Sequence, residues 1–347
     1  MTNLPLHSVD SEQMRAAIAR RMFRRSTASG EIRMPAVPGM LDEYVTMCNT
    51  IFTGLGIVFT GEQLAHLRSV LERQLAEAYR SSQRSDIVIT YNSPVGLMMN
   101  YEVNIQWLTI EGAYENWIAT RQPPLFGTEP DARVWDLANE TANPFTCPIL
   151  EIGAGTGRNT LALARRGHPV DVVEVTAKFA DMISADAARE ALDVRVFQRD
   201  VFATTDGLRS DYRLIVLSEV VSEFRTPQHL RYLFELAARH LAPIGRLVFN
   251  TFMARPDYTP DNAAKEFAEQ AYSKFFTWQE MSGAAAGLPL DLVADDSVYE
   301  YEKAHLPPAA WPPTSWYAEW VTGQDVFDLE RQQCPNEMRW LVYQKTM

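Results

Sequence analysis

Hydrophobic positions follow one pattern after residue 148. Short apolar runs, many of them rich in valine and isoleucine, alternate with segments in which apolar residues recur at helical spacing. This alternation is typical of buried parallel strands connected by helices. We therefore predict an α/β core whose seven strands lie near 148–152, 170–175, 194–201, 212–219, 245–251, 290–301 and 338–344.

The first 140 residues have a different pattern, in which helical periodicity predominates. We predict helices over 11–23 and 40–52, and a third that begins with a capping box at Thr60 and Gln63 and continues with leucines at helical spacing. Two β-rich segments, 85–91 and 96–103, are separated by Asn92-Ser93-Pro94 and predict one hairpin. This region is thus a mainly helical cap preceding the core.

The first core strand runs into a glycine-rich turn. Glu151 is followed by Gly153, Gly155 and Gly157 at every second position, and a helix starts directly afterwards. Glycine allows positive φ and a close approach of the backbone to a ligand. A dinucleotide-binding turn needs its third glycine at the sixth position of the motif, where this chain has Arg158, so a nicotinamide-dependent oxidoreductase is disfavoured.

The acidic residue and the three alternating glycines resemble motif I of the class I methyltransferases that use S-adenosyl-L-methionine (SAM). The later strands agree in order with this resemblance, which covers about 148–301 and the last strand. It implies a Rossmann-like seven-stranded methyltransferase sheet, with the seventh strand antiparallel between the fifth and sixth. The expected product of the cofactor is S-adenosyl-L-homocysteine.

The resemblance also implies roles for individual residues. The turn would lie under the methionine part of SAM, with Glu151 near its ammonium group. Glu174, 19 residues after Gly155, would bind the ribose hydroxyls. Asp200 would contact the adenine amino group and Val201 the ring face. Ser218, where the fourth strand ends, is assigned to the cofactor site as well.

The acceptor is expected to face the loop that begins with Ser218. Glu219 and Glu223 are four residues apart in it, and paired carboxylates suit a cationic nitrogen. The pair partly resembles the double-glutamate loop of arginine methyltransferases, in which the glutamates are farther apart. We assign Glu219 and Glu223 to catalysis, with His305 as a candidate general base. A solvent-exposed Glu223 without a catalytic role is the alternative.

Composition narrows the class of partner. The 347 residues carry a net charge of −12, which argues against nucleic acid as a partner. Cys48, Cys147 and Cys334 are far apart in sequence, so we expect neither disulfides nor a metal site, and a cytoplasmic setting. No apolar run reaches the 18 or more residues of a membrane span.

We therefore predict a SAM-dependent methyltransferase that acts on a small molecule, first a guanidinium or amine nitrogen. Alternatives are a C- or O-methyltransferase of a specialised metabolite, and a SAM-binding protein without methyl transfer. The expected organisation is a cap at 1–140 that could form a homodimer, a core at 141–302 and 336–347, and a proline- and aromatic-rich insertion at 303–335. The insertion is a candidate substrate lid.

Overall fold

The computed structural model describes residues 11–23, 27–93 and 99–347. It divides the chain into two compact units, Met1–Thr109 and Ile110–Met347. The sequence analysis placed the boundary at 140, whereas the structure places it after residue 109. The reason is that α5 (Ala132–Asn139) packs on elements of the core. The segment between α4 (Ile110–Thr120) and the first core strand is therefore part of the second unit.

The first unit combines helices with a small antiparallel sheet in the order β1-β2-β3. Its elements are α1 (Ser11–Phe23), β1 (Ala28–Pro35), α2 (Leu41–Gly54), α3 (Gly61–Ser81), β2 (Asp86–Ser93) and β3 (Asn100–Gln106). The three predicted helices are confirmed, and α3 begins with the predicted capping box at Thr60 and Gln63. The strands β2 and β3 pair as the predicted hairpin, while Pro94 and residues 96–98 lie outside the described residues.

The prediction of a single hairpin missed strand β1. It pairs with β2 along its whole length, and its alternating Ile32 and Met34 are buried against α2 and α3. The polar residues that alternate with them, Glu31 and Arg33, are exposed. The period of two was therefore present in the sequence, although only two apolar residues carried it.

The second unit has the predicted sheet, with helices on both faces. Its strands are β4 (Ile149–Ile152), β5 (Val170–Glu174), β6 (Val194–Gln198), β7 (Tyr212–Leu217), β8 (Leu241–Ala254), β9 (Phe275–Phe276), β10 (Leu290–Ser297) and β11 (Asn336–Lys345). The order is β10-β11-β8-β7-β4-β5-β6, and β11 is antiparallel to both of its neighbours, as predicted. The short β9 pairs with the end of β8 as an additional strand.

Helices connect these strands and cover the sheet. They are α6 (Arg158–Arg165), α7 (Ala177–Glu190), α8 (Pro227–His240), α9 (Asn262–Gln270), α10 (Trp278–Ala285), α11 (Val298–His305), α12 (Tyr317–Val321) and α13 (Gln324–Phe327). The prediction of a strand over 297–301 was wrong, because Ser297 caps α11 through the backbone N–H of Glu300. In the insertion 303–335, Tyr317 and Trp320 are buried in the core on one face of the sheet.

Candidate functional site

The glycine turn joins the end of β4 to the start of α6. The φ values of the three glycines are positive, at 71° for Gly153, 54° for Gly155 and 81° for Gly157. Residues that carry a side chain rarely adopt such values. A Cβ on Gly153 would lie 2.4 Å from a methyl group of Val220, and one on Gly155 would lie 3.3 Å from the ring of Phe126. The turn therefore requires glycine for conformation at these positions and for space at Gly153.

Glu174 at the end of β5 holds this turn in place. One carboxylate oxygen accepts the backbone N–H of Gly155 at 3.0 Å, and the other accepts that of Thr176 at 2.8 Å. Burial raises the pKa of Glu174, while these N–H donors lower it. Glu174, the residue predicted to bind the ribose, thus lies at the expected edge of the sheet, beside the predicted glycine turn.

Glu151 is buried within β4. Its carboxylate accepts hydrogen bonds from Asn159 Nδ2 at 3.1 Å and from the hydroxyl of Thr160, both in the first turn of α6. Burial raises the pKa of Glu151 to about 7, partly offset by these donors. In this structure Glu151 therefore binds the start of α6 through side chains, which fixes the helix against the sheet.

Arg158, the first residue of α6, forms the centre of a buried ion-pair group. Its guanidinium lies 2.7 Å from Asp131 Oδ1 and donates to Glu219 Oε1 at 2.9 Å. The Arg158 side chain is 8% exposed and that of Glu219 14%, so water screens the pair little. Burial raises the pKa of Glu219, and the charge of Arg158 lowers it. Arg158, which stands where a dinucleotide-binding turn has its third glycine, thus links the glycine turn to the loop after β7, which we call the acceptor loop.

The loop after β7 has a constrained backbone. Glu219 has a φ of 61°, and its N–H donates to Asn250 Oδ1 on β8 at 2.5 Å. The hydroxyl of Ser218 is buried without a hydrogen-bond partner among the described residues. Glu223 accepts a hydrogen bond from the Tyr114 hydroxyl at 3.4 Å. Tyr114 lies in α4, which the sequence analysis placed in the cap.

The remaining predicted residues lie in two places. Asp200 is exposed after β6, where its Oδ1 accepts the N–H of Phe202 at 2.9 Å, and Val201 beside it is buried. His305 is exposed at the end of α11, and its described contacts are with Tyr301, at 2.8 Å to the carbonyl and by ring stacking. The catalytic assignment of His305 stays a prediction.

Aromatic rings from the segment before the core lie over the glycine turn. Phe126 packs on Phe179 with ring centroids 5.8 Å apart, and Trp117 stacks on Phe126 at 6.2 Å. Tyr114 packs edge-to-face on Trp117 at 5.7 Å. These rings form an apolar wall beside the turn and beside Glu223.

Sequence reasoning missed several residues of this site. Asp131 and Glu302 are buried carboxylates from distant segments, and burial raises the pKa of Glu302. Glu302 accepts the backbone N–H of Ala132 at 2.7 Å and the indole N–H of Trp340 at 2.9 Å. The one signal available was Arg158 itself, since a charged residue at the start of a buried helix requires partners.

Within 11–23, 27–93 and 99–347, no group of three or more histidine, cysteine, aspartate or glutamate residues could hold a metal ion. Nor does any helix in these ranges have the length and hydropathy needed to cross a membrane.

Comparison with known proteins identifies the sheet segment. Residues 149–245 match the family described as "Methyltransferase domain". No curated protein matches the chain in sequence. The match begins with β4 and ends within β8, so it contains the glycine turn, Glu174 and the acceptor loop.

Solved structures also resemble the chain. Geranyl diphosphate C-methyltransferase from Streptomyces coelicolor A3(2) is 16% identical, with a TM-score of 0.49 over 62% of this chain and 79% of that one. A putative sarcosine dimethylglycine methyltransferase from Galdieria sulphuraria is 15% identical, with a TM-score of 0.48 over 68% of this chain and 98% of that one. Similarity at this level does not indicate the acceptor.

Proposed function

We propose that this chain, whose residues 149–245 form a class I SAM-dependent methyltransferase domain, methylates the nitrogen of a small-molecule amine. The observation that carries the choice of acceptor is the contact between Glu223 and the aromatic wall, where Tyr114 donates to the carboxylate at 3.4 Å. A carboxylate beside aromatic faces suits a cationic nitrogen, because both attract positive charge.

The cofactor side of the domain fits SAM. Glu174 has both oxygens engaged by backbone N–H groups, yet a carboxylate has about four acceptor positions, so hydroxyl groups of a ribose can be accepted as well. Asp200 would bind the adenine amino group and Val201 the ring. When bound, SAM would supply the methyl group: a bond forms between the acceptor nitrogen and the methyl carbon as the carbon–sulfur bond breaks, its electron pair stays on sulfur, and S-adenosylhomocysteine leaves.

The acceptor side favours an amine over a guanidinium. A grip on a guanidinium requires the negative charges of both Glu219 and Glu223, but Glu219 already pairs with the guanidinium of Arg158. Glu219 is therefore held in one orientation and is suited to accept a proton from the acceptor, since burial raises its pKa towards neutrality. Glu223 and the aromatic wall would hold the amine.

The experiment that tests this proposal measures S-adenosylhomocysteine formation with SAM and a panel of amines, guanidines, phenols and carbon acids. We expect turnover with at least one amine, and a methylated amine of the matching mass. Reactions without acceptor give the background. Turnover with phenols or carbon acids alone would replace the nitrogen acceptor with the O- or C-methyltransferase alternative.

A second outcome would contradict the proposal that the protein is an enzyme. Binding of S-adenosylhomocysteine without turnover on any acceptor class would favour a protein that binds SAM without methyl transfer. Three further hypotheses stay predictions: the homodimer through residues 1–140, the lid role of 303–335, and the cytoplasmic location.

A further inference from the structure

Two cations meet at the acceptor edge of the sheet. Lys274 Nζ contacts one oxygen of Glu269, and Arg225 Nε lies 4.0 Å from the other. Arg225 follows the loop after β7, and Lys274 directly precedes β9, which pairs with the end of β8. Both cations are therefore near the carboxyl ends of β7 and β8, the edge at which open α/β sheets bind ligands.

These charged residues continue into the aromatic wall. Glu223 is two residues before Arg225 and contacts Tyr114. Tyr272 is two residues before Lys274, and its ring centroid lies 5.4 Å from that of Trp117. Tyr114 packs on Trp117, so these contacts and two short stretches of chain join an aromatic side to a charged side. We call these residues the sheet-edge cluster: Tyr114, Trp117, Glu223, Arg225, Glu269, Tyr272 and Lys274.

The cations of the sheet-edge cluster are partly or largely buried, so their position depends on nearby anions. The side chains of Lys274 and Glu269 are 8% and 2% exposed, and that of Arg225 is 24% exposed. Removing an ammonium from water is costly unless an anion lies nearby. Glu269 contacts both cations, one at each oxygen, and so holds them at one place. Arg225 is the more exposed of the two cations, so a ligand anion would approach its guanidinium first and share the two cations with Glu269.

We propose that the acceptor is a zwitterion: an amine that also carries a carboxylate, as an amino acid does. Arg225 and Lys274 bind the carboxylate, and Glu223 with the aromatic side of the sheet-edge cluster binds the amine. An arginine fork and a lysine ammonium are both suited to a carboxylate. This inference rests on the proposed function, because it describes the substrate of the same site.

The test compares matched pairs of ligands by calorimetry on the protein saturated with S-adenosylhomocysteine. The pairs are histidine and histamine, arginine and agmatine, and tryptophan and tryptamine, each an amino acid and its decarboxylated amine. We expect at least one amino acid to bind about tenfold more tightly than its amine, because a charged hydrogen bond contributes about that factor.

Two variants locate the carboxylate. Lys274→Met and Arg225→Gln should each weaken binding of that amino acid about tenfold and change binding of its amine by less than about twofold. Lys274→Arg should retain the preference. Lys265→Met is the matched control, since Lys265 pairs with Glu280 at 2.6 Å outside the cluster, and it should leave both affinities unchanged.

A purely structural role for Lys274 predicts that both ligands lose affinity together. That result would overturn the inference. It would also be overturned if both members of every pair bound the unchanged protein with equal affinity, or if no amino acid bound the saturated protein. Titration with S-adenosylhomocysteine on the same sample comes first. Its failure would instead overturn the proposed function, and with it the inference.

Discussion

The carboxylates predicted to bind the cofactor and those predicted to bind the acceptor are held in different ways, and we call the two regions the cofactor half and the acceptor half of the sheet. In the cofactor half, Glu174 bonds to Gly155, 19 residues away, and Glu151 bonds to Thr160, nine residues away. In the acceptor half, Glu219 pairs with Arg158 across 61 residues, and Glu223 contacts Tyr114 across 109. One half is built within a single strand-turn-helix-strand segment, whereas the other is assembled from distant parts of the chain.

From this difference we expect acceptor specificity to reside in the acceptor half. A site built within one local segment can keep the same shape when the rest of the chain changes, which suits a ligand common to many enzymes. A site assembled from distant segments changes whenever one of them changes, which suits the part of the protein that selects an acceptor. The two halves meet at Arg158, which starts the helix of the first and binds the loop of the second.

The largest expected effect comes from breaking the cofactor half. Gly155→Val places a β-branched side chain at a φ of 54° and a Cβ 3.3 Å from Phe126, and it blocks ligand approach to the turn. We expect calorimetry to detect no binding of S-adenosylhomocysteine. Gly283→Val is the control, because Gly283 in α10 has nothing within 4 Å of its Cβ position. Equal cofactor affinity in both variants would remove the turn from the cofactor site.

The next effect concerns the residue shared by both halves. Arg158→Met leaves the buried Asp131 and Glu219 without their cation, and breaking a buried pair costs about 3–5 kcal/mol. We expect that loss in the free energy of unfolding, measured by urea titration. Arg165→Met, also in α6, removes an exposed pair with Glu190 and should cost at most about 1 kcal/mol. Similar losses in both variants would show that Arg158 does not join the two halves.

The smallest expected effect is a change of stability with pH that depends on Glu151 in the cofactor half. Because burial raises the pKa of Glu151 from 4.5 to about 7, its contribution to stability is complete below pH 4.5 and is lost as the pH rises through 7. Glu151→Gln cannot titrate. The stability of the unchanged protein relative to this variant should therefore fall by about 3 kcal/mol from pH 4.5 to 8. Thermal unfolding at both pH values measures this, and a constant difference would mean that folding does not raise the pKa of Glu151.

The same contrast explains what the sequence could predict. Strand order, the glycine turn and the position of Glu174 follow from local patterns: apolar runs, glycine spacing and the length of one βαβ unit. These predictions were confirmed for the fold, including the antiparallel β11. Strand β1 was missed because its two core residues, Ile32 and Met34, give a short signal.

The acceptor half could not be predicted in the same way. The partner of Glu219 is set by tertiary packing, and nothing in 218–224 indicates that Arg158 lies beside it. The Tyr114–Glu223 contact likewise depends on α4 belonging to the core unit, whereas the sequence favoured a boundary at 140. Local patterns encode elements, while contacts across a hundred residues depend on the completed fold.

Helix α5 shows how far this dependence extends. Asp131, the N-cap residue before α5, makes no side-chain cap, and the N–H groups of Ala132 and Arg133 are instead accepted by Glu302, 170 and 169 residues later in the chain. A shortened protein that ended before α11 would leave the start of α5 without its acceptor, and with it Asp131, which anchors Arg158. We therefore expect the matched segment 149–245 to be unstable when excised alone, and dissection of this protein into smaller pieces should retain both ends of its second unit.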